Sequence, residues 1–107
     1  FTEIKNSSLG KGTLIRHMCY LGDTKVGRKV NIGAGMVVAN FDGKRKHKTV
    51  IKERAFIGCD SVLIAPVVVG KNAVVGAGSV VTRDHNVPDG AIVFGVPAKV
   101  IKKSKKG

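Results

Sequence analysis

Three histidines, His17, His47 and His85, are the side chains here that ordinarily exchange a proton near neutral pH. His17 stands beside Cys19 and Tyr20, whereas His47 lies in a run of lysines and arginines, and His85 lies near the end of the patterned sequence. His47 and His85 therefore read as solvated surface, and His17 is the candidate proton acceptor. A Cys19–His17 nucleophile pair needs a thiolate environment that the flanking residues do not provide, so Cys19 reads as a packing residue. The irregular spacing of the histidines argues against a shared metal site, and none is expected. Cys19 and Cys59 form no metal or redox pair by spacing, which favours a reducing, cytoplasmic setting.

Charge points to an anionic partner. Lysine and arginine total 19 against 7 acidic residues, a net of +12. Eleven of the 19 fall in segments 44–54 and 99–106. Such clusters suit nucleic acid, a membrane surface or a phosphorylated small molecule. With four Phe, one Tyr and no Trp, the chain lacks a stacking surface for single strands, and it has no recognisable reading helix. A nucleic-acid partner is thus disfavoured. The longest apolar run, 62–69 with Pro66 inside it, is far short of the roughly 20 residues a membrane span needs, so no membrane association is expected.

The elements that must position these residues show in a period of six. Aliphatic residues recur at Ile51, Ile57, Leu63, Val69, Val75, Val81 and Val87. Upstream the same period gives Leu9, Ile15 and Leu21, then, after one five-residue step, Val26, Ile32 and Val38. Small or β-branched residues (Ala55, Ser61, Val67, Ala73, Ser79) follow four positions after the first five of the downstream set. Six suits neither an amphipathic helix nor a plain hairpin. It suits a solenoid in which each hexad is a short strand and a turn, and three hexads close one triangular coil. Stacking then places Ile51, Val69 and Val87 in one interior column, with glycine relieving the corners. The expected fold is all-β, a single-stranded solenoid over residues 1–98. A loop projects near 40–48, where the aliphatic spacing lengthens from Val38 to Ile51. A basic tail follows at 99–107, its end expected to be disordered. Starting at Phe rather than Met, the sequence reads as a piece of a longer chain.

The hexads resemble those of the left-handed β-helix acyltransferases. More specifically, IKNSSLGKGT, HMCYLGD, VNIGAGMVVANFDG and KHKTVI resemble the acetyltransferase domain of the bifunctional N-acetylglucosamine-1-phosphate uridyltransferase/glucosamine-1-phosphate acetyltransferases. The likeness runs from residue 1 to about residue 84 and supplies the left-handedness, which a period alone does not set. It implies acetyl transfer from acetyl-CoA to the amine of glucosamine-1-phosphate in the route to UDP-N-acetylglucosamine and the cell wall. It also implies a homotrimer with sites between subunits. The uridyltransferase portion is absent, so no such activity is expected of this chain.

Carried over residue by residue, the resemblance makes His17 the general base, with Glu3 in the same pocket to orient it and Asn40 near the reacting amine. Lys5, Tyr20, Asn31 and Lys46 would hold the sugar phosphate. Ala34 and Ala77 would meet acetyl-CoA through the backbone, with Ala34 N–H as an oxyanion donor, and Cys59 would stand where the family has a serine. Phe41 replaces a tyrosine of the loop, and Gly95 falls where the family often has an arginine. The ending FGVPAKVIKK is closer to other hexapeptide acetyltransferases. These departures keep open another amino sugar or a nucleotide-linked amino sugar as acceptor. A basic β-helix module binding nucleic acid or a partner protein, without catalysis, is the alternative of another class.

Overall fold

The computed structural model describes residues 1–103. Short strands alternate with tight turns, and up to β13 every third strand returns to the same face of a triangular prism. The first face holds β1 (Glu3–Lys5), β4 (Tyr20–Gly22), β7 (Val37–Ala39), β10 (Val62–Ile64) and β13 (Val80–Val81). The second holds β2 (Ser8–Leu9), β5 (Thr24–Val26), β8 (Thr49–Ile51) and β11 (Val67–Val69). The third holds β3 (Leu14–Ile15), β6 (Asn31–Ile32), β9 (Phe56–Ile57), β12 (Val74–Val75), β14 (Ile92–Gly95) and β15 (Ala98–Lys102). All pairings within the faces are parallel except β14 with β15.

The hexad aliphatics form the interior columns. Leu9, Val26, Ile51, Val69 and Val87 stack on the second face, so the expected Ile51–Val69–Val87 column is present. Ile15, Ile32, Ile57, Val75 and Val93 stack on the third. Ile32, Ile57, Leu63, Val69 and Val75 are fully buried. At about 1.5–3 kcal/mol per buried aliphatic, these columns are the main stabilising feature of the coils. The small residues Ala55, Ser61, Ala73 and Ser79 are buried too, where the prism narrows.

Glycine meets the expectation only in part: Gly35 and Gly78, for example, take positive φ (79° and 71°) at turns. The glycines directly after hexad aliphatics do not have positive φ; they stand where successive coils touch. A Cβ on Gly27 would lie 2.7 Å from the backbone nitrogen of Glu53, and one on Gly58 would lie 2.7 Å from Ala77 Cα. Much of the left-handed backbone is instead carried by other types, among them Asn6 (φ 49°), Asp23 (φ 52°), Asp60 (φ 57°) and Asn72 (φ 57°). Asn and Asp tolerate that region better than most residues.

The C-terminal expectation also changes. The period does not end at Val87, since Val93 takes the next place on Val75. Nor does a tail begin at 99, because β15 crosses that boundary and folds back antiparallel on β14, capping the third face. Residues 104–107, within the expected disordered end, lie outside the described residues.

The projecting loop between β7 and β8 is a small hairpin. Phe41 and Lys46 pair antiparallel, and Asp42 Oδ1 accepts the N–H groups of Lys44 and Arg45 at 2.8 Å. Among the described residues no helix is long and apolar enough to cross a membrane, and no cluster of His, Cys, Asp and Glu could hold a metal ion.

Candidate active site

Two edges of the prism carry the candidate residues, joined by the first face. On the edge between the third and first faces, Gly35 N–H donates to His17 O, Asp60 N–H to Ala34 O, and Gly78 N–H to Cys59 O. His17, Ala34, Cys59 and Ala77 therefore occupy the same corner position in four successive coils. With coils about 4.8 Å apart, this row runs roughly 14 Å along the edge. Gly95 falls at the next position, since Val75 pairs with Val93 in β14. All four positions after His17 are small. The N–H groups of Ala34, Cys59 and Ala77 have no acceptor among the described residues, although the next N–H in each corner is bonded to the coil below. The edge thus presents a line of free backbone donors, with the exposed His17 imidazole at one end.

Across the first face, Glu3, Lys5 and Tyr20 point outward, because the residues between and beside them, Ile4 and Leu21, stack in register with the interior column. Tyr20 spans the face toward the edge between the first and second faces. Its hydroxyl lies over Gly22 beside the Asn40 amide, and a Cβ on Gly22 would meet both groups. Asn40, only 9% exposed, donates from Nδ2 to Asp23 Oδ2 at 2.7 Å. Asn6 Nδ2 donates to the other oxygen, Asp23 Oδ1, at 2.5 Å. Hydrogen bonds from Asn6 and then Asn40, with smaller help from the Lys46 and Lys48 charges, hold the Asp23 carboxyl below its ordinary value of 3.8. Lys46, from the hairpin, therefore acts on this edge electrostatically.

The candidates are gathered unevenly. Lys5, Tyr20, Asn40 and Lys46 converge on the Asn40 edge and its adjoining face, and His17, Ala34, Cys59 and Ala77 share the other edge. Glu3 does not orient His17 within one chain: its carboxylate pairs with Lys5 at 3.7 Å. Only its backbone approaches, through Glu3 N–H to Cys19 O at 2.9 Å. Asn31 points outward from the third face in register with Leu14 and Phe56, away from the Lys5–Tyr20 group. Cys19 is buried and its thiol donates to Gly33 O, as a packing residue should.

His47 is not free surface. Its Nε2 sits 2.7 Å from Asp42 Oδ2, with Arg83 at 3.9 Å from the same oxygen. The Arg45 N–H, His47 and the Lys44 N–H together hold the Asp42 carboxyl well below the carboxylate range. His85 Nδ1 lies 2.9 Å from both Thr82 Oγ1 and Arg83 O, in a turn. A pocket of ≈ 540 Å³ opens on the second face, lined by Asn6, Ser8, Asp23, Lys25 and Lys48 among others. It shares Asp23 with the Asn40 edge and excludes His17 and Tyr20. A prism corner is convex, so the His17 row encloses nothing by itself.

Asp23 was missed as a candidate by sequence reasoning, although it closes the HMCYLGD segment. Its signal is position: Asn6, Asp23 and Asn40 are spaced by 17 residues, one short coil each.

Comparison with known proteins agrees with this architecture. The model for bacterial transferase hexapeptide (six repeats) matches residues 48–83. The chain is a left-handed β-helix of hexapeptide repeats. Bifunctional protein GlmU of Lactococcus lactis subsp. cremoris is 55% identical over 102 residues, 95% of this chain and 22% of that protein. GlmU of Prochlorococcus marinus is 48% identical over the same shares. The chain thus spans about a fifth of the length of these relatives, and the similarity bears out the resemblance read from its motifs. Among solved structures, the acetyltransferase domain of PglB from Neisseria gonorrhoeae, in complex with acetyl coenzyme A, matches with a TM-score of 0.81. That match has 25% identity over 94% of this chain and 45% of that one. A maltose O-acetyltransferase from Clostridium difficile shares the fold alone, with a TM-score of 0.82 and 20% identity over 98% of this chain and 67% of that one.

Proposed function

We propose that this domain transfers the acetyl group of acetyl-CoA to the amine of glucosamine-1-phosphate, giving N-acetylglucosamine-1-phosphate. The observation that carries the reading is the row of unpaired N–H groups at Ala34, Cys59 and Ala77 that ends at His17. An extended chain bearing amides and phosphates, such as acetyl-CoA, needs such a line of donors beside small side chains. The identity to the GlmU proteins supports the choice of acceptor.

In this reading Lys5, Lys46 and Tyr20 hold the sugar phosphate by charge-assisted hydrogen bonds. Asn40 stands at the amine. His17 accepts the proton that the nitrogen loses as the N–C bond forms, and the C–S bond breaks to release the CoA thiol. Ala34 N–H meets the negative charge that develops on the thioester oxygen. No covalent enzyme intermediate is needed, which agrees with the buried Cys19.

The domain works as a homotrimer in a cytoplasmic setting. Convexity of the His17 edge supports the trimer, because a neighbouring prism laid against that edge makes a groove of it. Asn31, outward on the third face, and Glu3, turned to Lys5, act through that neighbour.

A thiol-release assay with acetyl-CoA tests the reading against glucosamine-1-phosphate, galactosamine-1-phosphate, unphosphorylated amino sugars and nucleotide-linked amino sugars. Glucosamine-1-phosphate should be preferred. Preference for a nucleotide-linked amine would reassign the acceptor, and no release with any amine, alongside tight DNA binding at physiological salt, would replace catalysis by a binding role.

A further inference from the structure

We propose that Asp23 is a positioning residue that fixes the Asn40 side chain so that its amide oxygen faces the acceptor amine. The inference rests on the acetyl-transfer reading for what Asn40 meets, and on the structure for how Asn40 is held. Asn6, Asp23 and Asn40 stack at one corner of three successive coils, with both amide nitrogens on the central carboxylate, at 2.5 and 2.7 Å. An ionised carboxylate only accepts hydrogen bonds, so each asparagine must turn its NH2 toward it. The otherwise ambiguous amide orientation is thereby decided by chemistry. Asn40 Oδ1 is left pointing away from Asp23. No described group donates to it, yet it is not among the sealed, unpartnered polar atoms, so it reaches the surface. The Tyr20 hydroxyl lies on the other side of the amide, near Nδ2 over Gly22, and leaves Oδ1 unobstructed by it.

A neutral amine has two N–H donors and one lone pair. Holding an N–H on Asn40 Oδ1 aims the lone pair elsewhere, toward the acetyl carbon, while His17 takes the proton as the N–C bond forms and the thiol leaves. Asp23 exchanges no proton or bond in this step. The carboxylate is charged at neutral pH, as the arrangement requires, and the hydrogen bonds from Asn6 and Asn40 lower its pKa further. An amide at position 23 cannot serve both asparagines in the same sense, because it carries one acceptor oxygen where the carboxylate has two. Asn40 is then free to flip and to offer NH2 to an amine.

The test compares Asp23→Asn, Asn40→Ala and the double variant in the full chain with acetyl-CoA and glucosamine-1-phosphate, alongside side-chain amide NMR. Asp23→Asn should lower kcat about 10- to 100-fold, the cost expected for a misplaced reacting group, with KM for acetyl-CoA unchanged. The double variant should be no slower than Asn40→Ala, since Asp23 acts through Asn40. Asn6→Ala, which removes the other amide from Asp23, should lower Tm with little change in kcat. Full kcat in Asp23→Asn, or losses that multiply in the double variant, would overturn the proposal. If the parent chain releases no thiol, the acetyl-transfer reading fails separately, and NMR still decides the orientation. The Asn40 NH2 resonances should move sharply in Asp23→Asn, and unmoved resonances would refute the proposal.

Discussion

Gly22→Ala isolates the geometry of the candidate site from the stability of the fold. Gly22 does not have positive φ, so alanine fits its backbone, and the methyl group meets side chains of its own and the next coil rather than the next coil's backbone. Its Cβ would lie 2.7 Å from Tyr20 Oη and 2.8 Å from Asn40 Cγ, where ordinary contact begins at 3.4 Å. The hydroxyl must therefore retreat by about 0.7 Å (3.4 − 2.7), and the amide by more than that, because its Nδ2 lies closer still to the new methyl. A misplacement near 1 Å can cost about 100-fold in rate, so kcat/KM for glucosamine-1-phosphate should fall about 10- to 100-fold. KM for acetyl-CoA should hold, because its candidate contacts lie on the other edge. Steady-state thiol release, with both substrates varied and Tm measured in parallel, separates the outcomes. Parent-like kinetics would refute the convergence of Tyr20 and Asn40 over Gly22 as the acceptor site. A collapse in Tm would show that the methyl strains the coil instead.

His17→Ala should lower kcat by about 100- to 10,000-fold, the usual range for positioned proton transfer, with little change in acetyl-CoA binding; retention of half the rate would remove His17 as base. Lys46→Ala should raise KM for the sugar phosphate far more than Lys44→Ala does, and equal effects would mean that the hairpin acts only as a diffuse field. Thr49→Val should raise stability by about 1–3 kcal/mol in denaturant unfolding. Thr49 Oγ1 is buried without a partner, and the register neighbour Val67 already carries the isosteric side chain. The depressed Asp23 pKa contributes stability that is fully present above its unfolded value of 3.8 and is lost as pH falls through the lower folded value. An Asp23→Asn variant should therefore show a flatter loss of Tm on acidification, and an unchanged acid slope would argue against the carboxylate–amide bonds.

Sequence by itself determined the solenoid, because one aliphatic per hexad must point inward wherever a short strand turns a corner. The period of six therefore predicted which residues stack, down to Ile51 on Val69 on Val87. It also held His17, Ala34, Cys59 and Ala77 at one corner position, although that alignment shows only when coils of 17, 25 and 18 residues are laid on one another. Their unpaired N–H groups depend on corner backbone geometry, which side-chain identity does not encode. The glycines after hexad aliphatics misled for a related reason: the need for room between coils and the need for positive φ leave the same letter in a sequence, and only the backbone angles and Cβ distances separate them. Val93, six residues after Val87, was legible in the period, whereas β15 was hidden because the period gives strand positions and not the direction of a returning cap. Tertiary structure alone decided Asp23, since a carboxylate between two amides one coil apart on either side is made by stacking, a contact between residues distant along the chain.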